Sequence, residues 1–263
     1  MKHRSIYRKY FLNRTGMETP LQIERHDGWA LLRLARSAKR NALDRAMRSA
    51  MREALTALAG DGTRVIVVTG SGEGAQASFC AGLDLKEREA DRVAGLADAA
   101  GEEWIALNMQ LREHPAVLIA AVNGVAMGAG VTLLNSCDLA LATDSASFSL
   151  PELNHGHYAG MAAPTMHLQQ LARKRVAWLL FTAQRIDAST AERWGLVNEV
   201  VSSEALLPRA SELAAQVARF DPAALAEVKR SLDDIPLEAG WREAMEFGQS
   251  VNARIREKRV SKS

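Results

Sequence analysis

Apolar and polar positions change period several times along the chain, and each change marks an element. Leu21 to Arg25 and Trp29 to Leu34 read as two short strands around Asp27-Gly28, a strong hairpin signal. Asp44 stands where a cap belongs, before a helix whose apolar positions Met47, Met51, Leu55 and Leu58 recur every three or four residues. Arg64 to Thr69 is a continuous β-branched run suited to a strand buried on both faces, with a loop through Gly70, Gly72 and Gly74 after it. A strand near Phe79 follows, and Gly82-Leu83-Asp84 leads into a charged helix. Gly101 to His114 reads as a helix stopped by Pro115, and Val117 to Val122 as another buried strand. That strand feeds a loop carrying Gly124, Gly128 and Gly130, then a short apolar helix ending near Cys137. Leu139 to Ala142 and Ala146 to Ser149 are two more short strands. Strand, strand, helix thus recurs, which argues for an α/β core.

From Ala162 the pattern becomes helical, with a strand-like island at Val197 to Val201. Pro208 and Pro222 both read as first-turn prolines, and Asp221 is placed to cap the second. Leu213 and Val217 mark one helical face, Leu225, Val228 and Leu232 the next, and a last helix is expected from about Leu237 to near Arg256. The expected organisation is a core over 17–205 and a helical region over 206–263. The first sixteen residues, through Gly16, are basic and lack the apolar stretch of a secretory signal. Either Met17 is the true start or they are a loose extension, since strand-like patterning begins only at Leu21; an organellar transit peptide is the alternative.

Composition narrows the function classes. A chain of 263 residues with 48% hydrophobic content is long enough to bury a full core. Its 33 basic and 31 acidic side chains leave a formal net charge of +2, too little to favour nucleic acid or a membrane surface. Cys80 and Cys137 are too few for a disulfide framework, lack metal-ligand spacing and sit among small apolar residues, so buried free thiols are expected. No apolar run approaches the ~18 residues of a spanning helix. A soluble cytoplasmic protein is the expectation, with no metal.

The familiar catalytic motifs are absent: no Walker loop, no His-Glu-x-x-His, no Gly-x-Ser-x-Gly, and no dinucleotide fingerprint at Gly124, Gly128 and Gly130. What remains is a pair of glycine-bearing loops, each following a buried strand and preceding a helix: Phe79 to Asp84, and the loop within Ala121 to Asp138. One backbone N–H from each could hold a single developing oxyanion. Two ordinary tight turns are the alternative.

Both loops resemble signatures of the crotonase (enoyl-CoA hydratase/isomerase) superfamily. Phe79-Cys80-Ala81-Gly82-Leu83-Asp84-Leu85-Lys86-Glu87 is similar to its Phe-x-Ala-Gly-x-Asp-Leu-Lys-Glu segment. Ala121 to Asp138 is similar to its Ala-Val-Asn-Gly-x-Ala-x-Gly-Gly-Gly segment, Ser149-Leu150-Pro151-Glu152 to its Pro-Glu turn, and Thr182 to Val197 to a later family run. The likeness extends in order from about Leu21 to Val201.

The resemblance implies a repeated ββα superhelix with a C-terminal helical region, assembling as trimers or hexamers. It implies an oxyanion hole from the N–H groups of Leu83 and Ala129, the latter in place of the usual glycine. Leu83, Asp84, Leu85 and Lys86 would line the coenzyme A side, with the coenzyme arriving as part of an acyl-CoA thioester and none bound permanently. Glu152 would be the proton-transfer residue. Family hydratases carry a second glutamate, and its place here holds Thr132, which has no carboxylate to offer. Hydration or a hydratase-lyase reaction comes first, double-bond isomerisation is the close alternative, and a catalytically silent binder or scaffold is the rival class. His157 and Tyr158, in the stretch after Glu152, are expected to border the acyl pocket with Thr132. A His155-x-His157 metal pair lacks a third ligand of suitable spacing.

Overall fold

The computed structural model describes residues 19–96, 99–234 and 240–260. The basic extension through Gly16 and the expected helix start at Leu237 lie outside these residues. The hairpin forms as its turn residues predict: β1 (Leu21–Arg25) pairs antiparallel with β2 (Trp29–Leu34) around Asp27-Gly28. Asp44 caps α1 (Arg45–Gly60), its side chain accepting the Met47 N–H at 2.9 Å, and Met47, Met51, Leu55 and Leu58 form the buried face.

Three ββα units follow. β3 (Val65–Gly70) and β4 (Ser78–Cys80) precede α2 (Leu85–Val93) and α3 (Ala99–Glu113). β5 (Val117–Val122) and β6 (Val125–Met127) precede α4 (Ala129–Asn135). β7 (Leu139–Thr143) and β8 (Ser147–Ser149) precede α5 (Ala162–Leu168) and α6 (Arg173–Thr182). The first strand of each unit joins a large sheet and the second a small one. With β9 (Ile186–Asp187), which precedes α7 (Ala188–Trp194), and β10 (Glu199–Val201), the orders are β1-β2-β3-β5-β7-β10 and β4-β6-β8-β9. The architecture is the α/β one expected.

The continuous apolar strands are explained by burial on both faces. Along β2 and β3, Ala30, Leu32, Leu34, Ile66 and Val68 enter the core between the sheets and helices. Trp29, Leu31, Val65 and Val67 face the other way, onto α8 (Leu206–Val217). Period-two alternation therefore supplies two apolar cores from one sheet, each fully buried aliphatic side chain contributing about 1.5–3 kcal/mol.

Some local expectations shift. Val125–Met127, read as part of a glycine loop, is a strand, because three residues suffice to extend the small sheet by pairing with β4 and β8. The short β9 is a strand the sequence pattern does not reveal, and the island at Val197–Val201 contracts to Glu199–Val201. On α8 the buried stripe is Leu206, Ala210 and Ala214, with Leu213 and Val217 flanking it half-buried. On α9 (Pro222–Asp234) the face marked by Val228 and Leu232 is exposed, while Glu227 and Lys229 are buried.

Those two polar residues fasten the C-terminal helices. Lys229 Nζ lies 2.9 Å from Asp138 Oδ2 and donates to the Ala116 carbonyl at 3.0 Å, joining α9 to the start of β5. Glu227 collects Arg230 and Arg254, at 2.9 and 2.8 Å, and Lys258, tying α9 to α10 (Trp241–Val260). The hydrogen bonds from Lys258 and Arg254 hold the Glu227 carboxyl down to about 2.

Candidate active site

β4 ends in the loop Ala81–Asp84, whose backbone direction is set by Leu43, two residues ahead of α1. Leu43 donates its N–H to the Gly82 carbonyl at 2.8 Å and its carbonyl accepts the Asp84 N–H at 3.2 Å. In a trans peptide the C=O and N–H point oppositely. The Gly82 carbonyl faces Leu43, so the Leu83 N–H of the same peptide faces away from it, and it donates to no described protein acceptor. Asp84 then caps α2, accepting from the N–H groups of Lys86 at 3.1 Å and Glu87 at 3.4 Å, and pairs with Arg36 at 3.2 Å. Burial works against its charge, but the Arg36 guanidinium and the two amides outweigh it and hold the carboxyl below its ordinary value.

Asp84→Ala is expected to cost about 1–2 kcal/mol, through the lost cap and ion pair, and to lower the Tm by a few degrees. Because the folded pKa is depressed, that contribution is present above the ordinary carboxylate pKa and is lost as pH falls through the folded value. Thermal unfolding of both proteins is therefore expected to converge at strongly acidic pH.

The second loop links β6 to α4. Gly128 donates to the Ser149 carbonyl at 3.1 Å, and its own carbonyl accepts from Val131 at 2.9 Å and Thr132 at 3.2 Å. That carbonyl points into α4, so the Ala129 N–H of the same peptide points out of the helix start, again with no described protein acceptor. The two loops meet: a β-carbon on Gly82 would lie 3.4 Å from the Ala129 nitrogen. Gly130 allows the approach, since a β-carbon there would lie 2.1 Å from the Cys80 carbonyl oxygen.

Glu152 completes the site. It sits in the 3₁₀ turn Pro151–His155, and its carboxylate rests against the bare α-carbon of Gly128, where a β-carbon would lie 2.8 Å from Oε1. Gly128 has φ +52°, which glycine adopts without strain. Glu152 Oε2 is buried with no hydrogen-bond partner. Burial pushes the carboxyl above its ordinary value, against smaller opposing effects from its own backbone N–H and from His155. A basic carboxylate thus stands beside two unpaired amide donors. Such a group can move a proton while the amides hold an oxygen that gains negative charge.

These groups open into a cavity of about 510 Å³. Leu83, Leu85, Ala129, Thr132, Glu152 and Tyr158 all contribute to its wall. Thr132 is deeply buried there, whereas Leu85 and Tyr158 are exposed at the mouth. The structure separates the other expected residues from this wall. Asp84 is turned to Arg36, Lys86 is exposed on α2 outside the lining, and His157 lines a neighbouring depression with Leu85 and Arg88.

Residues that sequence reasoning did not single out also belong here. Trp104 lines the cavity, beside His155 and Met161 from the stretch after Glu152 that was expected to border the acyl pocket. Arg48, 1% exposed, holds Glu87 of α2 at 2.8 Å and Glu103 of α3 at 2.7 Å, fixing two helices of the wall. Trp104, Leu107 and Leu111 have helical spacing, but that pattern marks a core face and not a cavity. Cys80 and Cys137 are free and buried, their thiols pushed up by burial to about 12, which leaves them unreactive. Among the described residues no helix is long and apolar enough to cross a membrane.

The family model for enoyl-CoA hydratase/isomerase matches residues 24–258. A 2,3-dehydroadipyl-CoA hydratase from Escherichia coli is 35% identical over 225 residues, 84% of this chain and 85% of the relative. A carnitinyl-CoA dehydratase from Citrobacter koseri is 38% identical over 182 residues, 68% of each chain. The crystal structure of an enoyl-CoA hydratase from Mycobacterium smegmatis superposes with a TM-score of 0.79 at 30% identity, covering 90% of both chains. The chain is an enzyme of the lyase/isomerase type and belongs to the enoyl-CoA hydratase/isomerase family, the crotonase superfamily.

Proposed function

We propose that the chain adds water to the double bond of a 2-enoyl-CoA thioester, or runs the related hydratase-lyase step, with Glu152 as its single proton-transfer residue. The observation that carries this reading is the unpartnered, buried Glu152 Oε2 beside the Gly128–Ala129 peptide. The Glu152 carboxylate takes a proton from water as the water oxygen bonds to Cβ. The π electrons move onto the thioester oxygen, which the Leu83 and Ala129 N–H groups hold as an enolate. Glu152 then returns a proton to Cα, so one water is added and the residue is restored. Thr132 supplies a hydroxyl that positions water or substrate and takes no part as a base.

Coenzyme A arrives with the substrate along Leu83 and Leu85, with Lys86 and Asp84 beyond the rim. The exposed apolar side chains of Val228, Leu232, Trp178 and Phe181 suit the faces of a trimer or hexamer. A cytoplasmic location fits the same reading. The relatives described above, a hydratase and a dehydratase, favour water addition or its reverse.

A second reading rests on one observation: Glu152 is the only carboxylate among the described residues of the cavity wall. One carboxylate suffices to carry a proton between two carbons, which is double-bond isomerisation. Incubating a panel of enoyl-CoA thioesters in deuterated water, with products read by mass and NMR, separates the two. Deuterium at Cα with a new hydroxyl supports hydration, and a moved double bond without added water supports isomerisation. Neither added water nor a moved double bond with any thioester would remove both.

The raised Glu152 carboxyl gives a pH test. The reaction begins with the ionised form, so kcat/KM is expected to rise with pH along an acidic limb centred above the ordinary carboxylate pKa of 4.5. A limb at or below 4.5 would take the base role away from Glu152.

A further inference from the structure

Besides Glu152, a second residue of the cavity wall carries an orphaned side-chain polar atom. Trp104 is fully buried, lines the cavity from α3, and its Nε1 has no hydrogen-bond partner. An indole N–H is a donor only, and leaving it unpaired in the interior is costly. One turn further along, Asn108 Oδ1 accepts at 2.6 Å from the Oγ of Ser136, the residue that follows α4. This contact ties α3 to the end of α4, and Trp104 and Thr132, each one turn before a contact residue, both lie in the cavity wall. Ala159, Ala162 and Met161 add apolar surface to the same wall.

We infer that Trp104 Nε1–H is a specificity determinant that donates a hydrogen bond to a neutral oxygen, a hydroxyl or a ketone, carried on the acyl chain of the substrate. The inference rests on the reading of this cavity as the acyl site. A plain alkyl chain leaves the indole N–H unpaired, so it forfeits binding that an oxygen-bearing chain gains. The acceptor is neutral because the buried part of the wall supplies no cation: Arg88 and His155, the basic residues of the lining, are both exposed. A carboxylate taken to that depth would lose its hydration without a countercharge.

The test uses saturated thioesters, which bind but cannot be hydrated: hexanoyl-CoA, its C4- and C5-keto analogues, and adipyl-CoA, titrated calorimetrically into wild type and Trp104→Phe. Wild type is expected to prefer a keto analogue over hexanoyl-CoA by about ten- to a hundredfold. Trp104→Phe, which keeps an aromatic ring and removes the donor, is expected to bring that ratio close to one. With 15N-labelled indoles, the resonance absent from Trp104→Phe is expected to move downfield with the keto ligand and not with hexanoyl-CoA. In wild type alone, one of the five tryptophan indoles is expected to move with the keto ligand and none with hexanoyl-CoA, so this readout stands even if the variant folds poorly. Equal binding of keto and alkyl ligands by wild type overturns the inference, and so does a preference that survives Trp104→Phe. A Trp104-dependent preference for adipyl-CoA overturns the neutral assignment. A keto preference in a protein that turns over no enoyl-CoA leaves the inference standing and sinks the proposed reaction instead, whereas no binding of any thioester sinks both.

Discussion

Glu152→Gln is expected to lower enoyl-CoA turnover by about 10²- to 10⁴-fold, the usual span of general acid–base catalysis, in a protein that is no less stable than wild type. The glutamine amide matches the carboxylate in size and can rest on the same Gly128 α-carbon, but it cannot take a proton from water. The stability expectation follows from the sign of the pKa shift. Burial raises the Glu152 carboxyl in the folded state, so folding is opposed once the group must ionise. That opposition develops as pH rises from the unfolded to the folded pKa, and it persists at neutral pH. Removing the charge removes it. Steady-state kinetics with thermal unfolding at pH 7 checks both parts together. Retention of more than a tenth of the wild-type kcat would end the single-glutamate mechanism.

The second large effect concerns a group that no side-chain deletion reaches. Ala129 is the first residue of α4, the position at which proline fits a helix best. Its N–H serves no described protein acceptor, so Ala129→Pro removes a donor without breaking an internal hydrogen bond. If that N–H stabilises the enolate oxygen, kcat is expected to fall by about 10²- to 10³-fold, or ~2.7–4 kcal/mol of transition-state stabilisation. Ala129→Gly keeps the N–H and is expected to stay within a few-fold of wild type. Parallel kinetics and circular dichroism of the two variants make the comparison. Equal activity in both would place the oxyanion elsewhere.

Much of the fold was legible because its strands are buried on both faces and its helix starts carry strong caps. Asp44 and Asp84 stand one residue ahead of their helices, and the Val65–Thr69 run has no polar break before Thr69. The three-residue β6 and two-residue β9 were not legible, since their pairing is set by neighbours far away in the chain. On α9 the polar positions went inward because Glu227 found partners on α10 and Lys229 found Asp138 and the Ala116 carbonyl, just ahead of β7 and β5, a tertiary outcome that periodicity does not contain. In the site, the two loops and the Pro-Glu turn were legible as motifs. The roles of Arg48 and Trp104 were not, because a buried cation between two acids and an aromatic beside a cavity look like surface and core in a linear pattern.

The peptide between Gly82 and Leu83, and the one between Gly128 and Ala129, each have their carbonyl already committed, one to Leu43 and the other to the first turn of α4. Their N–H groups are thereby aimed before any substrate arrives. If those N–H groups hold the enolate oxygen, the reactive information is written in main chain, and residues 83 and 129 are free to drift in identity without silencing the chemistry. On that reading a saturation scan of this protein would show tolerance at residues 83 and 129, broken only by proline, and intolerance at glycines that touch no substrate atom. Lineages could then alter the cavity wall through those side chains while leaving the aim of the two amides intact.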